Sequence, residues 1–450
     1  MLNPITQANF TPLQRFRQQA YQAFDHSKDA FFELLDAVIQ TPAANSFAEL
    51  SLAPACQRQW PSLYQALAEA SYDQQKLDEL CLAAVPIAQQ VAHFGIDVMS
   101  VRRMRSPTLE ERRYCHGAAR EVGGRGVIIG LPYSITAWTS QRGSSFAPPV
   151  NIRRLKPDEK AVQVAVDQVL WLGLHTPSVL DWRAALDGAY GNREFFAPLQ
   201  GKEVQVVART RCDRVLYRRA TAADYCGKGR HPVFGVAFRC KDASTWGSPD
   251  ETVSFEDAQH GRVELQLWRG LGLRKKGRFV AVELIRSQIR AESEKPPEPH
   301  WYLAWNGKPE QTVGARDWYV TITHRWGIEP ANRFRKDRLY AELPKVREAT
   351  SSDHWLMAVQ LIEWELYLAR TEVAQKVLPW QKPQAPAEIT PNRVIQSLPS
   401  HLSQVGTPVR AVQPRGNAPG WPAGRTRSVP KKFKLTAKSR KKAANVSKNE

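Results

Sequence analysis

Short apolar runs of strand type, alternating with one amphipathic helix, constrain this chain more than any other feature. Residues 91–98, 126–130, 133–138 and 204–208 are each rich in Val, Ile and aromatic residues, and each is too short for a helix of ordinary length. Between the third and fourth runs, residues 158–172 place apolar side chains on one face at helical spacing. Strands interleaved with a helix in this way predict an α/β sheet. An isolated stack of helices or a purely antiparallel barrel would not carry this pattern.

The flanking regions differ. Before residue 90, Leu13, Phe16, Ala20 and Phe24 follow Thr11-Pro12 at helical spacing, and Phe31, Leu34, Leu35, Val38 and Ile39 repeat the period. Two further helices are expected near residues 60–67 and 77–82, giving a helical domain over 1–88. From 212 to 305 the chain becomes strand-rich, with runs at 231–238, 263–267, 279–285 and 301–305 and basic turns at Gly227-Lys228-Gly229 and Arg274-Lys275-Lys276-Gly277. Helical periodicity returns at 329–341 and at 353–376, where Trp355, Val359, Ile362, Leu366 and Ala369 line one face. The expected division is therefore a helical domain (1–88), an α/β core in two parts (89–211 and 306–380) separated by a β-rich insertion (212–305), and a tail (381–450).

The formal charge of +19 is concentrated in that tail. Residues 381–450 hold 14 Lys and Arg against 2 Asp and Glu, a net of +12, together with nine prolines. Large apolar residues almost vanish past Leu402, so a disordered basic arm is expected, suited to polyanions through counterion release. No apolar run approaches the length of a membrane span, and the N-terminus lacks the pattern of a signal peptide, so a soluble, intracellular, cytoplasmic protein is expected. The six cysteines show no Cys-x-x-Cys spacing and read as reduced thiols. Cys212, Cys226, His231 and Cys240 lie within 30 residues, but their gaps are too wide for a zinc knuckle or ribbon.

Against this basic background three acids stand in distinctive settings. Asp97 sits in Gly95-Ile96-Asp97-Val98, at the end of an apolar run; Asp187 sits in Leu186-Asp187-Gly188-Ala189-Tyr190-Gly191-Asn192; Glu329 follows Arg325-Trp326-Gly327-Ile328. Asp97 and Asp187 both read as strand-end residues, where open α/β sheets keep their sites. Glu329, Arg333 and Lys336 fall at i, i+4 and i+7 and share one helical face, with Arg325 just upstream. Carboxylates suit hard cations such as Mg²⁺, and cations beside them suit phosphate. An ordinary solvated helix with a Glu–Arg pair has the same spacing. Two-metal phosphoryl transfer on nucleic acid is the chemistry that would use all of these groups.

These segments resemble the DDE transposases of bacterial insertion sequences. Gly95-Ile96-Asp97-Val98 is similar to the first catalytic strand of that family. Asp187-Gly188-Ala189-Tyr190 matches its Asp-x-x-Tyr motif, and Arg325 through Lys336 resembles the helix of the third acid. The 142 residues between Asp187 and Glu329, against 90 between Asp97 and Asp187, match the subgroup whose core is split by a β insertion. That subgroup carries a Tyr-Arg-Glu-Lys signature; Arg325, Glu329 and Lys336 match it, but Ile322 stands at the Tyr position and Tyr319 lies three residues earlier.

The resemblance implies an RNase H-like mixed sheet flanked by helices. It implies Asp97, Asp187 and Glu329 as catalytic ligands of Mg²⁺, with Mn²⁺ as a substitute, and Arg325, Arg333 and Lys336 as contacts to DNA. It further implies a homodimer on paired DNA ends, cleavage and strand transfer at terminal inverted repeats, a nucleoid-associated location in a bacterium, and an N-terminal domain that binds DNA. Trp246 and Trp268 are candidates for a residue that stacks on a flipped base, neither being assigned. A domesticated, inactive DNA-binding derivative or an RNase H-like nuclease unconnected with a mobile element would share the same residues.

Overall fold

The computed structural model describes residues 9–87, 91–117, 126–290, 297–385, 388–412, 420, 422–426 and 428–436. The N-terminal helices form where the periodicity places them: α1 (Thr11–Gln22), α2 (Lys28–Gln40), α3 (Trp60–Glu69) and α4 (Gln74–Ala83). A small antiparallel ribbon of β1 (Phe24–His26) and β2 (Ser71–Tyr72) ties α1 to α4. Pro12 and Pro61 occupy the first turns of α1 and α3, where the missing N–H costs nothing.

The core begins with β3 (Ala92–Arg102), β4 (Arg113–His116), β5 (Val127–Trp138) and β6 (Pro149–Arg154). The two runs expected at 126–130 and 133–138 form one strand, β5. Pro132 does not interrupt it, because its carbonyl still accepts from the Leu155 N–H and the β3 register continues through that position. Then follow α5 (Ala161–His175), β7 (Trp182–Leu186), α6 (Arg193–Phe196) and β8 (Gln205–Thr210). β3 is central. It pairs antiparallel with β5 and parallel with β7, and β8 runs parallel to β7. This is the mixed α/β sheet expected from the alternation.

The strand-rich stretch supplies β9 (Val215–Arg219), β10 (Phe234–Arg239), β11 (Glu251–Asp257), β12 (Gly261–Lys275), β13 (Arg278–Arg290) and β14 (His300–Asn306). These strands extend the core sheet: β14 pairs with β8 over Thr210 to Gln205, giving twelve strands in all among the described residues. The boundary expected at residue 305 falls inside β14.

Three helices complete the core, α7 (Ala315–His324), α8 (Ile328–Asp337) and α9 (Ala349–Ala369). α9 is buried on nearly every side, not on one face, because it lies between the N-terminal helices and the sheet. Its polar residues are therefore paired internally. Glu365 accepts from Arg17 of α1 at 2.5 Å, and Glu363 accepts from Arg335 of α8 at 2.5 Å. One hydrophobic cluster runs from Phe10 to Val405, so the N-terminal helices share their core with the sheet.

The tail departs from expectation. Residues 381–450 were expected to be disordered, yet α10 (Pro391–Ser397) and α11 (Leu402–Val405) fold, with Val394, Leu398 and Val405 buried. Few apolar residues suffice here because they complete a core already built by α1, α2 and α9. The basic run at 438–442 lies outside the described residues. None of the described helices is long and apolar enough to cross a membrane.

Candidate active site

The parallel register of β3 and β7 builds the site. Ile96 pairs with Leu186, so Asp97 and Asp187, the next residue on each chain, emerge at the same level of neighbouring strands. Asp187 sits just past the end of β7, as expected. Asp97 does not end its strand: β3 continues to Arg102 along β5, and what ends at Asp97 is only its pairing with β7.

Asp187 opens a tight turn. Its carboxylate accepts from the Ala189 N–H at 2.8 Å and its carbonyl accepts from the Tyr190 N–H at 3.2 Å. Asn192 then caps α6 by accepting from the Glu194 and Phe195 N–H groups. Tyr190, the tyrosine of Asp-x-x-Tyr, is buried edge-on against Phe195 under the turn. Burial first, then the charges of Asp187 and Asp97, push its hydroxyl pKa up, so it serves as a neutral prop.

Glu329 lies in the first turn of α8, with its side chain 58% exposed. Gly95 is what admits this helix: a Cβ there would overlap the Ile328 side chain. The Arg325 guanidinium lies 3.8 Å from the Asp97 carboxylate and 3.2 Å from that of Glu329. The Asp97 carboxyl is held above its usual pKa by burial, against the pull of Arg325 and with smaller upward pushes from Asp187 and Glu329. The three acids therefore share one electrostatic field.

Among the described residues no three His, Cys, Asp or Glu side chains are grouped so that they could hold a metal ion. The three acids expected as metal ligands come to one end of the sheet but not into a ligand cluster, because a guanidinium lies between two of them. Their donor chemistry suits a hard divalent cation, and their mutual repulsion is what such a cation would relieve. Accommodating it requires Arg325 to turn away from Asp97 and Glu329.

Asp187 and Arg325 line a cavity of about 810 Å³. Arg209, Arg211 and Lys241 line it too, and these three were not anticipated. The run Arg209-Thr210-Arg211 at the end of β8 was the available signal. Of the expected phosphate contacts, Arg325 is at the cavity, Arg333 is exposed on α8, and Lys336 lies 4.0 Å from Glu342.

Tyr319 does not replace the missing signature tyrosine. It is buried against Phe255 and within 3.0 Å of His260 Nδ1, while Ile322 and Tyr302 line the cavity. Trp246 and Trp268 pack with Phe238 and Trp301 in an aromatic cluster, and neither lines the cavity. The exposed tryptophan on its wall is Trp326.

Residues 19–274, more than half of the chain, match a family model described as DDE superfamily endonuclease. The match includes Asp97 and Asp187 and stops short of Glu329, whose place at the site rests on the geometry of α8. No curated protein matches the chain.

Proposed function

Because the chain belongs to the DDE superfamily of endonucleases, we propose that it is an insertion-sequence transposase, cutting DNA at the terminal inverted repeats of its element and joining the freed 3′-hydroxyl to target DNA. The observation that carries this reading is the level placement of Asp97 and Asp187 on adjacent parallel strands, with Arg325 linking Asp97 to Glu329 at the rim of a basic cavity.

Asp97, Asp187 and Glu329 would hold Mg²⁺, or Mn²⁺ in its place, which when bound activates the attacking oxygen and stabilises the leaving one. Arg325, once turned from the acids, and Arg333 and Lys336 on the same helix would neutralise backbone phosphates and fix the strand. β3 and the turn that closes β7 set the two aspartates at one level, so the reacting phosphodiester would meet a prearranged pair of carboxylates. The N-terminal helices would add contacts to DNA, two copies would act on paired ends, and the protein would work at the bacterial nucleoid.

The test is cleavage and joining of a duplex carrying the element's terminal repeats, with and without Mg²⁺. Asp97→Asn, Asp187→Asn and Glu329→Gln are each expected to lower the rate by about a thousandfold or more, consistent with losing stabilisation made only in the transition state. Activity retained by a correctly folded variant removes that residue from the site. Cleavage without joining would leave an endonuclease that is not a transposase.

A further inference from the structure

Behind the turn that carries Asp187 lies a second cavity, of about 700 Å³, between the start of α5, α6, β9 and the end of β12. Lys160, Arg193, Arg214, Arg274 and Lys275 line it against a single acid, Glu194, an excess of four positive charges. Glu194 is engaged by Lys275 at 3.1 Å and Arg193 at 3.5 Å, and its pKa is drawn down chiefly by Lys275.

Arg214 and Arg274 are oriented by groups that do not neutralise them. Arg214 donates to the Gly191 carbonyl at 2.7 Å and to Thr210 at 3.1 Å. Arg274 lies over the rings of Phe234 and Tyr217, at 4.7 and 5.6 Å. Arg193 donates to the Arg274 carbonyl at 3.1 Å. Charged groups held in place without counter-charge are what a polyanion with regularly spaced phosphates meets best.

The two cavities share a wall. Arg209 to Asp213 face the first cavity, while Arg214 and Val215 face this one; Asp187 and Gly188 line the first, Asn192 and Arg193 the second. A duplex engaged at the acids and extending past this wall would meet the second set of cations. We propose that this second cavity docks a further stretch of duplex DNA, beyond the phosphodiester engaged at Asp97 and Asp187, an inference that rests on the reading of the first cavity as the DNA-cutting site. It contributes affinity and register without reading base sequence.

The experiment is a series of duplexes of increasing length, bound at several salt concentrations by the full chain and by Lys160→Glu/Arg274→Glu. The wild type is expected to gain affinity in two steps as length grows. The variant should match it on the shortest duplexes and lose the second step, with at least a tenfold weaker complex on the longest and a salt slope reduced by about one per contact removed. Should the reversal lower the melting temperature, Lys160→Gln/Arg274→Gln gives the same reading. An equal loss at every length, or no loss at any, overturns the proposal. So does weakened binding of polyglutamate with DNA binding unchanged, which would assign the cavity to an acidic protein. Cleavage is read on the same duplexes: a length step without Mg²⁺-dependent cleavage by the wild type would sink the transposase reading and leave the second cavity standing, whereas cleavage without a length step would do the reverse.

Discussion

One guanidinium holds the acids of the site in balance. Arg325 reaches Asp97 at 3.8 Å and Glu329 at 3.2 Å. The Glu329 side of this bridge is exposed and contributes little to stability, but Asp97 is mostly buried and without it would keep the Val98 N–H while facing the charges of Asp187 and Glu329. Arg325→Ala is therefore expected to lower stability by about 1 kcal/mol in chelator, within the range for losing a charged partner. It should then gain more from Mg²⁺ than the wild type does, since the cation would replace the lost charge and ligand binding stabilises by mass action. Thermal melts with and without Mg²⁺ check this; equal shifts in the two proteins would mean the guanidinium and the metal do not compete. Arg325→Lys should fall between, because an ammonium cannot bridge two carboxylates in a planar fork. Asp187 was readable from its Asp-x-x-Tyr motif because Tyr190 must be buried to brace the turn. Arg209 and Arg211 were not, since the cations of a strand end look like any solvated pair until β7 is set beside β8.

At the scale of elements, one contact sets the site and another ties the N-terminal helices to the sheet. The first is the approach of α8 to β3 over Gly95. Gly95→Ala forces Ile328 aside, and overpacking of this kind costs typically 1–3 kcal/mol. Chemical denaturation should show that loss, and cleavage should fall with it because Glu329 rides on α8; unchanged stability would mean the helix shifts freely. The second is the junction of α4, β6 and α9 at Asp78, whose carboxylate accepts from Gln74 at 3.0 Å, Asn151 at 2.7 Å and Gln360 at 3.1 Å. Burial raises its pKa to about 7, above that of an unfolded aspartate. The native state thus holds this proton more tightly. Stability from it is full below about pH 4 and is lost as pH rises through about 7. Burial raises Glu363 to about 7 and, against the pull of Arg17, holds Glu365 above the usual carboxylate range, so both act in the same direction. Comparing Asp78→Asn with the wild type removes their share: the wild type should gain on the variant, by up to a few kcal/mol, between pH 8 and pH 5. A constant gap across that range would show that Asp78 does not titrate there. Elements with a strong period, such as α2 and α9, were legible in the sequence. β7 was legible only through Asp187 as a strand-end residue, because five residues containing Arg183 give too little alternation. α7 was missed because its turn of Ala315 to His324 carries as many polar as apolar residues.

The whole molecule is more continuous than its sequence suggests. The stretch 212–305 reads as an insertion, yet β14 zips it onto β8, so the second cavity and the acid site are two hollows along one sheet. The N-terminal helices read as a separate domain, yet Arg17 of α1 bridges Asp36 of α2 and Glu365 of α9 inside the common core. The C-terminal stretch reads as one disordered arm because composition averages over it, whereas its burial is decided by a few positions, Ile389, Val394, Ile395, Leu398 and Val405. Two truncations separate these roles. Removing 381–450 strips α10 and α11 from α1, α2 and α9 and should lower the melting temperature by several degrees, the burial of side chains such as Ile389, Val394, Ile395, Leu398 and Val405 being worth several kcal/mol. Removing only 413–450 leaves both helices but deletes 11 Lys and Arg against one acid. Among the described residues it also deletes the backbone bonds from Phe433 to Pro107 and from Thr436 to Arg112, a small loss to the fold. This shorter cut should leave melting nearly unchanged while weakening DNA binding and flattening its dependence on salt. A shorter cut that melts like the longer one would place fold stability in the basic arm, and an unchanged salt slope would show that the arm does not reach phosphate.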